Sequence, residues 1–218
     1  GGLWNVNVGH NREEVKAAIR AQLDRVSYTT LFGSMTNEPA MELAQVLRRM
    51  LAPEGMVQAF FSSGGSEANE SAFKLARQYW HQVGQPGRHK IISLKRAYHG
   101  TTLGAMGLSC ESTRANGKYV GGSHFLPLLR DAARFPNPYL LRLPIPGKHE
   151  RPDVACAEML RVTLERGING PPAAVFVEPI QASAGQIPAT KAYLQRVREI
   201  CDEFGALLVF DEIQTFCR

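Results

Sequence analysis

Two short apolar stretches decide the fold class of this chain: Ala173-Ala174-Val175-Phe176-Val177 and Ala206-Leu207-Leu208-Val209-Phe210. Both are almost continuously apolar, which is typical of strands covered by helices on both faces of a sheet. Residues 190–204 lie between them and repeat apolar side chains at helical spacing, and Gly205 then ends the pattern. A strand, a helix and a strand of this length form a crossover unit, so the sequence predicts a parallel sheet.

The same alternation is found nearer the N-terminus. Residues 56–61 form an apolar run of strand length, a glycine-rich turn and a long amphipathic helix follow, and residues 90–94 are the next predicted strand. The apolar face of that helix is expected to comprise Ala68, Ala72, Leu75, Ala76, Tyr79, Trp80 and Val83. Another helix is predicted near residues 154–166. The predicted fold class is α/β, a mostly parallel sheet with helices on both faces.

Two further helices are predicted before residue 56. Asn11 opens the first, and Asn37 opens the second with Pro39 in its first turn. The second helix is expected to bury Leu43, Val46, Leu47, Met50 and Leu51. Residues 117–152 are rich in glycine and proline, and we interpret them as an excursion over the surface.

The composition is that of a globular protein, with 44% hydrophobic and 21% charged residues among 218. No apolar run reaches the roughly 18 residues of a membrane helix, and the first residues show no signal-peptide pattern. Cys110, Cys156, Cys201 and Cys217 form no CxxC pair, which argues against a zinc site and favours reduced thiols in the cytoplasm. The basic residues behind the net charge of +5 are scattered, so neither a nucleic acid nor a membrane is expected as a partner.

Polar or glycine residues follow each predicted strand, at the edge where parallel sheets bind ligands. Ser63-Gly64-Gly65-Ser66-Glu67 precedes a helix N-terminus, which suits a phosphate. Tyr98-His99-Gly100 offers an aromatic ring that can stack on a flat ligand, while its histidine is interpreted as an ordinary hydrogen-bonded residue. Glu178 and Asp211 follow the last two strands.

Asp211 is the strongest candidate for a functional residue. A carboxylate at the end of a buried strand is costly unless a cation compensates it, and no lysine or arginine is assigned to it by proximity in sequence. A cationic ligand is therefore expected. A dinucleotide site is disfavoured because the third glycine is missing and the second strand ends in Lys95-Arg96. A serine hydrolase is disfavoured because the last histidine, His149, precedes Asp211.

Five blocks, taken in order, resemble the class III aminotransferases, which are pyridoxal-phosphate enzymes of fold type I. The blocks are GLWNVNVGH (2–10), SGGSEANE (63–70), YHGTTLGA (98–105), VEPIQ (177–181) and DEIQT (211–215). The resemblance implies pyridoxal 5′-phosphate as the cofactor and a homodimer. It also implies an incomplete N-terminal segment at residues 1–36 and an incomplete pyridoxal-phosphate-binding large domain at residues 37–218.

The resemblance assigns roles to residues in these blocks. Gly65 and Ser66 would bind the cofactor phosphate, and Tyr98 and Ile213 would cover the two faces of its ring. Asp211 would pair with the pyridine nitrogen and keep it protonated.

The resemblance also bears on the substrate. Gln214 would lie near the phenolic oxygen of the ring, and Glu178 would line the site. Trp4 matches the substrate-pocket aromatic residue of the ω-amino-acid:pyruvate branch. Ser183 stands where the ornithine and γ-aminobutyrate branches carry a gating glutamate, which favours a pyruvate-type enzyme.

The chain departs from the family pattern at the lysine that forms the Schiff base with the cofactor. In this family that lysine follows the aspartate block, whereas seven residues follow Asp211 and none is lysine. The C-terminal small domain is also missing. We therefore expect the chain to be a fragment that is inactive alone.

The predicted function of the parent protein is to transfer an amino group from an amine or ω-amino acid to a 2-oxo acid such as pyruvate. Its partners would be these small molecules, and its location the cytoplasm. Two alternatives stay open: a non-catalytic α/β module that binds an anion or a partner protein, and a decarboxylase or aminomutase of the same fold.

Overall fold

A computed structural model describes residues 2, 4–109, 112, 113, 119, 120, 125, 127, 128 and 132–216. The chain forms two compact units, Gly1–Phe61 and Ser62–Arg218. The boundary between the two units lies after Phe61. The predicted division into residues 1–36 and 37–218 concerns the domains of the family, and it stays a prediction. Cys110 and Cys217 lie outside the described residues.

The N-terminal unit contains two helices, α1 (Glu13–Arg25) and α2 (Glu38–Met50), and a short 3-10 turn at Ala52–Glu54. The side chain of Asn37 caps α2, since its Oδ1 accepts the N–H of Ala40 at 2.9 Å. Both predicted helices are confirmed, but α1 is preceded by Arg12 at its cap position, so Asn11 is not its cap.

Two predictions for this unit are wrong. Residues 56–61 form no strand, and Phe60 is 73% exposed. An apolar run becomes a strand only where a neighbour accepts its backbone hydrogen bonds, and no strand of the described residues pairs with it. Helix α2 buries none of its side chains, and Leu43 is 49% exposed. An apolar face is buried only where another element packs against it, and the face of α2 is left largely exposed.

The second unit carries the sheet. Its strands are β1 (Lys90–Leu94), β2 (Ser112–Thr113), β3 (Tyr119–Val120), β4 (Ala132–Phe135), β5 (Pro172–Val177), β6 (Ile180–Gln181), β7 (Ile187–Pro188) and β8 (Leu207–Phe210). Its helices are α3 (Gly65–Gln82), α4 (Leu103–Leu108), α5 (Pro152–Val162) and α6 (Lys191–Phe204), with a π-helical turn at Thr163–Gly167 and a 3-10 turn at Leu140–Arg142.

Four of these strands form a parallel sheet in the order β4-β1-β5-β8. The register places Leu94 beside Phe135 and Val177 beside Phe210, so the carboxyl ends of all four strands meet at one edge. The predicted parallel sheet is confirmed. The residues that follow β1, β5 and β8 lie at this edge, where parallel sheets commonly bind ligands.

Helices cover both faces of this sheet. All six residues of β5 are buried, and they alternate between two cores. Val175 and Val177 pack in the core that contains α5 and α6, while Ala174 and Phe176 pack in the core that contains α3. Strand β8 is less buried, because its outer edge has no pairing strand among the described residues.

Strand β4 was not predicted, because it lies inside the stretch interpreted as a surface excursion. It is only four residues long and includes Arg134, so neither its length nor its composition marks it as a strand. It nevertheless pairs with β1 along its whole length, which extends the parallel sheet by one strand.

The predicted buried face of α3 is also partly wrong. Leu75, Tyr79 and Val83 are about half exposed. The side chains buried by α3 are Asn69, Phe73, Ala76 and Trp80. This row has helical spacing, but its first member is polar, so the neighbouring row looks more apolar in the sequence.

Arg88 ties the end of α6 to the sheet. Its Nη1 donates to the carbonyl oxygens of Pro172 at 3.1 Å, Phe204 at 3.0 Å and Gly205 at 3.1 Å. Its guanidinium carbon lies 4.5 Å from the centroid of the Trp80 ring. Since the last carbonyls of a helix lack partners within it, one side chain satisfies them and joins three elements.

We expect Arg88→Ala to lower the free energy of unfolding by about 2–3 kcal/mol, because three carbonyls lose a charged donor. Urea denaturation measures the change. Arg166→Ala, at an exposed arginine, serves as the control and should change stability by less than about 0.5 kcal/mol. Equal effects of the two substitutions would contradict the role assigned to Arg88.

Candidate active site

The N-terminus of α3 is open to a ligand. Gly64 occupies the cap position, and no side chain among the described residues caps the helix. The carboxylate of Glu67 instead accepts the N–H of Ser63, in the turn before the helix, at 2.8 Å. The first backbone N–H groups of α3 therefore remain as donors where the helix dipole favours an anion.

Two contacts place this terminus beside the loops that follow β1 and β8. A β-carbon on Gly65 would lie 3.3 Å from Cγ1 of Ile213. The hydroxyl of Ser66 accepts the N–H of Thr101 at 3.1 Å. Gly100 has a φ of +127°, and a β-carbon there would lie 2.8 Å from Cα of Ser66, so only glycine fits. The structure thus brings together Gly65, Ser66 and Ile213, which come from separate blocks.

Asp211 lies at the end of β8 with only 9% of its surface exposed. Its Oδ2 lies 2.8 Å from Nδ1 of His99 and accepts Nδ2 of Asn69 at 2.8 Å. Its Oδ1 accepts the N–H of Ile213 at the longer distance of 3.2 Å. Among the described residues no lysine or arginine forms an ion pair with Asp211. Its Oδ1 is therefore the oxygen with room for a further donor.

The charge of Asp211 is set by two opposing effects. Burial raises the pKa of its carboxyl group, while the hydrogen bonds from His99 and Asn69 lower it. The net result is a pKa below the usual value for aspartate. Asp211 is therefore a carboxylate at neutral pH, and Nδ1 of His99 carries the hydrogen that it accepts.

Two residues of this cluster were missed by the sequence analysis. His99 was interpreted as an ordinary polar residue and Asn69 was not considered, yet both bond directly to Asp211. His99 is buried, and its Nε2 has no hydrogen-bond partner among the described residues. The available signal was position, since both residues stand inside the blocks that carry the family resemblance.

Glu178 joins the end of β5 to the loop after β1. It is 6% exposed, and its Oε1 accepts the N–H of Tyr98 at 2.7 Å. Burial raises the pKa of Glu178 to about 7, although the N–H groups of Tyr98 and Ala182 lower it. Glu178 therefore titrates near neutral pH, beside Asp211, whose pKa is lowered. The side chain of Tyr98 is about half exposed and leaves its ring accessible.

The remaining predicted site residues are Gln214, Ser183 and Trp4. The Oε1 of Gln214 is buried without a partner in the described part of the chain, and the opposite amide orientation would point an N–H there instead. Ser183 lies exposed in the turn between β6 and β7. Trp4 belongs to the N-terminal unit, and its role at the substrate stays a prediction.

The described residues contain neither a metal centre nor a membrane-spanning helix. Within the described residues, no group of three or more His, Cys, Asp or Glu side chains could hold a metal ion. None of the described helices is both long and apolar enough to span a bilayer. Cys156 and Cys201 are free and buried, and burial raises the pKa of the Cys201 thiol to about 12.

Comparison with known proteins identifies the family. The family model described as "Aminotransferase class-III" matches residues 1–217. The chain belongs to the class III aminotransferases. The family resemblance inferred from the five sequence blocks is therefore confirmed.

Similar proteins agree with this assignment. This class III chain is 40% identical over 214 residues to a probable aminotransferase of Mycobacterium tuberculosis, covering 97% of the chain and 44% of that protein. It is 33% identical over 220 residues to the beta-alanine–pyruvate aminotransferase of Pseudomonas aeruginosa, covering 98% and 46%. The chain thus spans less than half the length of these relatives.

A solved structure supports the fold class. An amine transaminase from an uncultivated Pseudomonas species, in its pyridoxal-phosphate-bound form, matches with a TM-score of 0.84 and 37% identity, over 98% of this chain and 47% of that one. The predicted α/β fold of the pyridoxal-phosphate transaminases is confirmed. Family and neighbour together imply dependence on pyridoxal phosphate.

The described residues fit that cofactor. The uncapped terminus of α3 suits its phosphate, and the Oδ1 of Asp211 suits a protonated ring nitrogen. The Oε1 position of Gln214, which has no partner among the described residues, leaves a polar group for a ring substituent. Each of these groups lacks a strong protein partner, as expected of groups that a ligand completes.

The raised pKa of Glu178 gives a prediction for pH dependence. The folded protein holds this proton up to about pH 7, whereas the unfolded chain releases it near 4.5. Stability should therefore fall as pH rises from about 4.5 to 7. We expect Glu178→Gln to remove this slope and to be more stable than the wild type above pH 7, by about 1–3 kcal/mol.

Urea denaturation across that pH range measures the effect. Glu150→Gln, at an exposed carboxyl group, is the control and should leave the slope unchanged. A Glu178→Gln protein with the wild-type slope would show that Glu178 is not the group responsible.

Proposed function

We propose that the protein to which this chain belongs is a pyridoxal-phosphate-dependent aminotransferase. It moves an amino group from an amine or ω-amino acid to a 2-oxo acid such as pyruvate. The observation that carries the proposal is Asp211, a buried carboxylate whose Oδ2 takes two donors and whose Oδ1 is left for a cationic partner. Membership of the class III family supports it.

Two regions of the site would hold the cofactor. The N–H groups of Gly65 and Ser66 would bind the phosphate, because they begin α3 without a competing cap. Tyr98 and Ile213 would cover the two faces of the ring, since both side chains are exposed at this edge of the sheet. The close approach of Gly65 to Ile213 brings the phosphate end and the ring end together.

Asp211 would accept a hydrogen bond from the protonated ring nitrogen and keep that nitrogen protonated. When bound, pyridoxal phosphate supplies a protonated pyridine ring that delocalises the electron pair left on the substrate carbon. The carboxylate of Asp211 stabilises the positive nitrogen, because burial strengthens the attraction between opposite charges. Asn69 and His99 keep this carboxylate ionised and fix its orientation.

Two other side chains would complete the site. Gln214 would donate to the phenolic oxygen if its amide takes the opposite orientation, which places Nε2 where the Oε1 without a partner in the described residues now lies. Glu178 would line the site and hold the backbone of Tyr98, whose N–H it accepts.

The lysine that carries the cofactor would come from elsewhere in the protein. No lysine follows Asp211 among these 218 residues, and the relatives named above are more than twice as long as the matched stretch. We infer that the 218 residues alone do not catalyse the transfer. The homodimer and the cytoplasmic location stay expectations.

The proposed donor and acceptor rest on two observations. Ser183 occupies the turn where the resemblance places a glutamate in the ornithine and γ-aminobutyrate branches. A relative in Pseudomonas aeruginosa is named for beta-alanine and pyruvate. Both favour an amine or ω-amino acid as donor and pyruvate as acceptor.

Asp211→Asn in the full-length protein tests the central claim. We expect turnover with beta-alanine and pyruvate to fall about 100- to 1,000-fold, because the partner of the developing charge is lost. Alanine formation measures the rate. The thermal midpoint should change little, since an amide can accept most of the same hydrogen bonds.

Asp202→Asn is the control, because Asp202 is exposed on α6 and pairs there with Arg198. It should leave turnover unchanged. Undiminished turnover in Asp211→Asn would remove Asp211 from the mechanism.

Gly65→Val tests the phosphate site. A β-carbon at Gly65 already lies 3.3 Å from Ile213, so a branched side chain would close the approach to the N–H groups of α3. We expect the affinity for pyridoxal phosphate to fall at least about tenfold. Fluorescence titration of the full-length apoprotein measures it.

Gly87→Val is the matched control, because a β-carbon at Gly87 meets nothing within 4 Å. Its affinity should equal that of the wild type. If Gly65→Val also binds like the wild type, the phosphate does not lie at the start of α3.

A further inference from the structure

Asn69 connects the two ends of the proposed cofactor site. It lies on α3, in the turn after Gly65 and Ser66, and is 7% exposed. Its Nδ2 donates to Oδ2 of Asp211 at 2.8 Å and to the carbonyl oxygen of His99 at 2.9 Å. Both hydrogens of the amide group are therefore used within the site.

The use of both hydrogens is informative because the rest of this helix face is apolar. Phe73, Ala76 and Trp80 continue the buried row towards the end of α3 and pack in the core beneath the sheet. A buried amide in such a row is costly unless its hydrogens are accepted. Here the acceptors are the carboxylate of Asp211 and the backbone next to Tyr98, and neither belongs to α3.

The two bonds determine which oxygen of Asp211 is available. Oδ2 receives both side-chain donors, Asn69 and His99, whereas Oδ1 receives the backbone N–H of Ile213 at 3.2 Å. Without Asn69 the carboxylate could rotate and share its oxygens differently. Asn69 therefore fixes the orientation of the group that would meet the ring nitrogen.

We propose that Asn69 is a positioning residue that holds α3, which binds the phosphate, at a fixed distance from Asp211, which binds the ring nitrogen. This inference rests on the proposed function and deepens it. Asn69 does not touch the cofactor, and it acts through the carboxylate whose free oxygen it selects. Its removal weakens the recognition of the ring nitrogen specifically.

The test uses two ligands that form no covalent bond with a lysine. The first is pyridoxamine 5′-phosphate, and the second is its analogue with carbon in place of the ring nitrogen. Calorimetry on the full-length apoprotein gives both dissociation constants, and their ratio measures recognition of the nitrogen. The wild type should prefer the pyridine ligand. In Asn69→Leu this preference should fall about tenfold, whereas affinity for the carbon analogue should change less than about twofold.

A matched control separates positioning from packing. Phe73→Leu alters the next residue along the buried face of α3, at a position that does not contact Asp211. It should lower the thermal midpoint and leave the ligand preference unchanged. Asn69→Ala, which removes both donors and adds no charge, serves if Asn69→Leu does not fold. It should lose the preference for the same reason.

The outcomes distinguish this proposal from the proposed function. If both Asn69 variants keep the wild-type preference, Asn69 is only structural and the proposal is overturned while the function stands. If the wild type binds both ligands equally, the pairing of Asp211 with the ring nitrogen fails, and both proposals fall. A loss of preference in the Asn69 variants, but not in Phe73→Leu, supports the positioning role.

Discussion

A buried carboxylate at the end of a strand must be compensated, and the way in which Asp211 is compensated organises the site. Burial alone would favour the neutral acid, but Asn69 and His99 supply donors to the same oxygen and keep the group charged. These donors come from α3 and from the loop after β1. The pairing therefore brings the helix, the loop and the end of β8 to one point.

The contrast between Asp211 and Glu178 shows how the same edge of the sheet produces two different acids. Both carboxyl groups are buried at strand ends. Asp211 bonds to two side-chain donors and its pKa is lowered, whereas Glu178 bonds to backbone N–H groups and its pKa is raised to about 7. Two neighbouring carboxyl groups thus differ in charge near neutral pH because their donors differ.

Much of the fold could be predicted from periodicity. Helices α1, α2, α3, α5 and α6 and the two apolar strands β5 and β8 follow patterns that neighbouring residues determine. The predictions for residues 56–61 and for β4 were wrong, because a strand forms only where a partner strand pairs with it, and a local sequence pattern does not show the partner. The first lacks a partner among the described strands, while the second is short but pairs fully with β1.

The residues of the candidate site were only partly predictable from the sequence. Gly65, Ser66, Tyr98, Asp211 and Ile213 were selected from family blocks and from their positions after predicted strands. The structure brings them to one edge of the sheet, although the strand predicted before Gly65 does not form. Asn69 escaped notice because its partner is remote in the chain. A polar residue in an amphipathic helix looks like part of the solvent-facing side until its acceptor is known.

The distances along the chain between these partners have a consequence for synthesis on the ribosome. Asp211 is 112 residues from His99 and 142 residues from Asn69. Because translation proceeds from the N-terminus, α3 and β1 are made long before the carboxylate that satisfies their buried polar groups. Until β8 pairs with β5, the nascent chain exposes the amide of Asn69 and the imidazole of His99 without the carboxylate that accepts their hydrogen bonds. Chaperones would therefore encounter the site in an incomplete form at this stage.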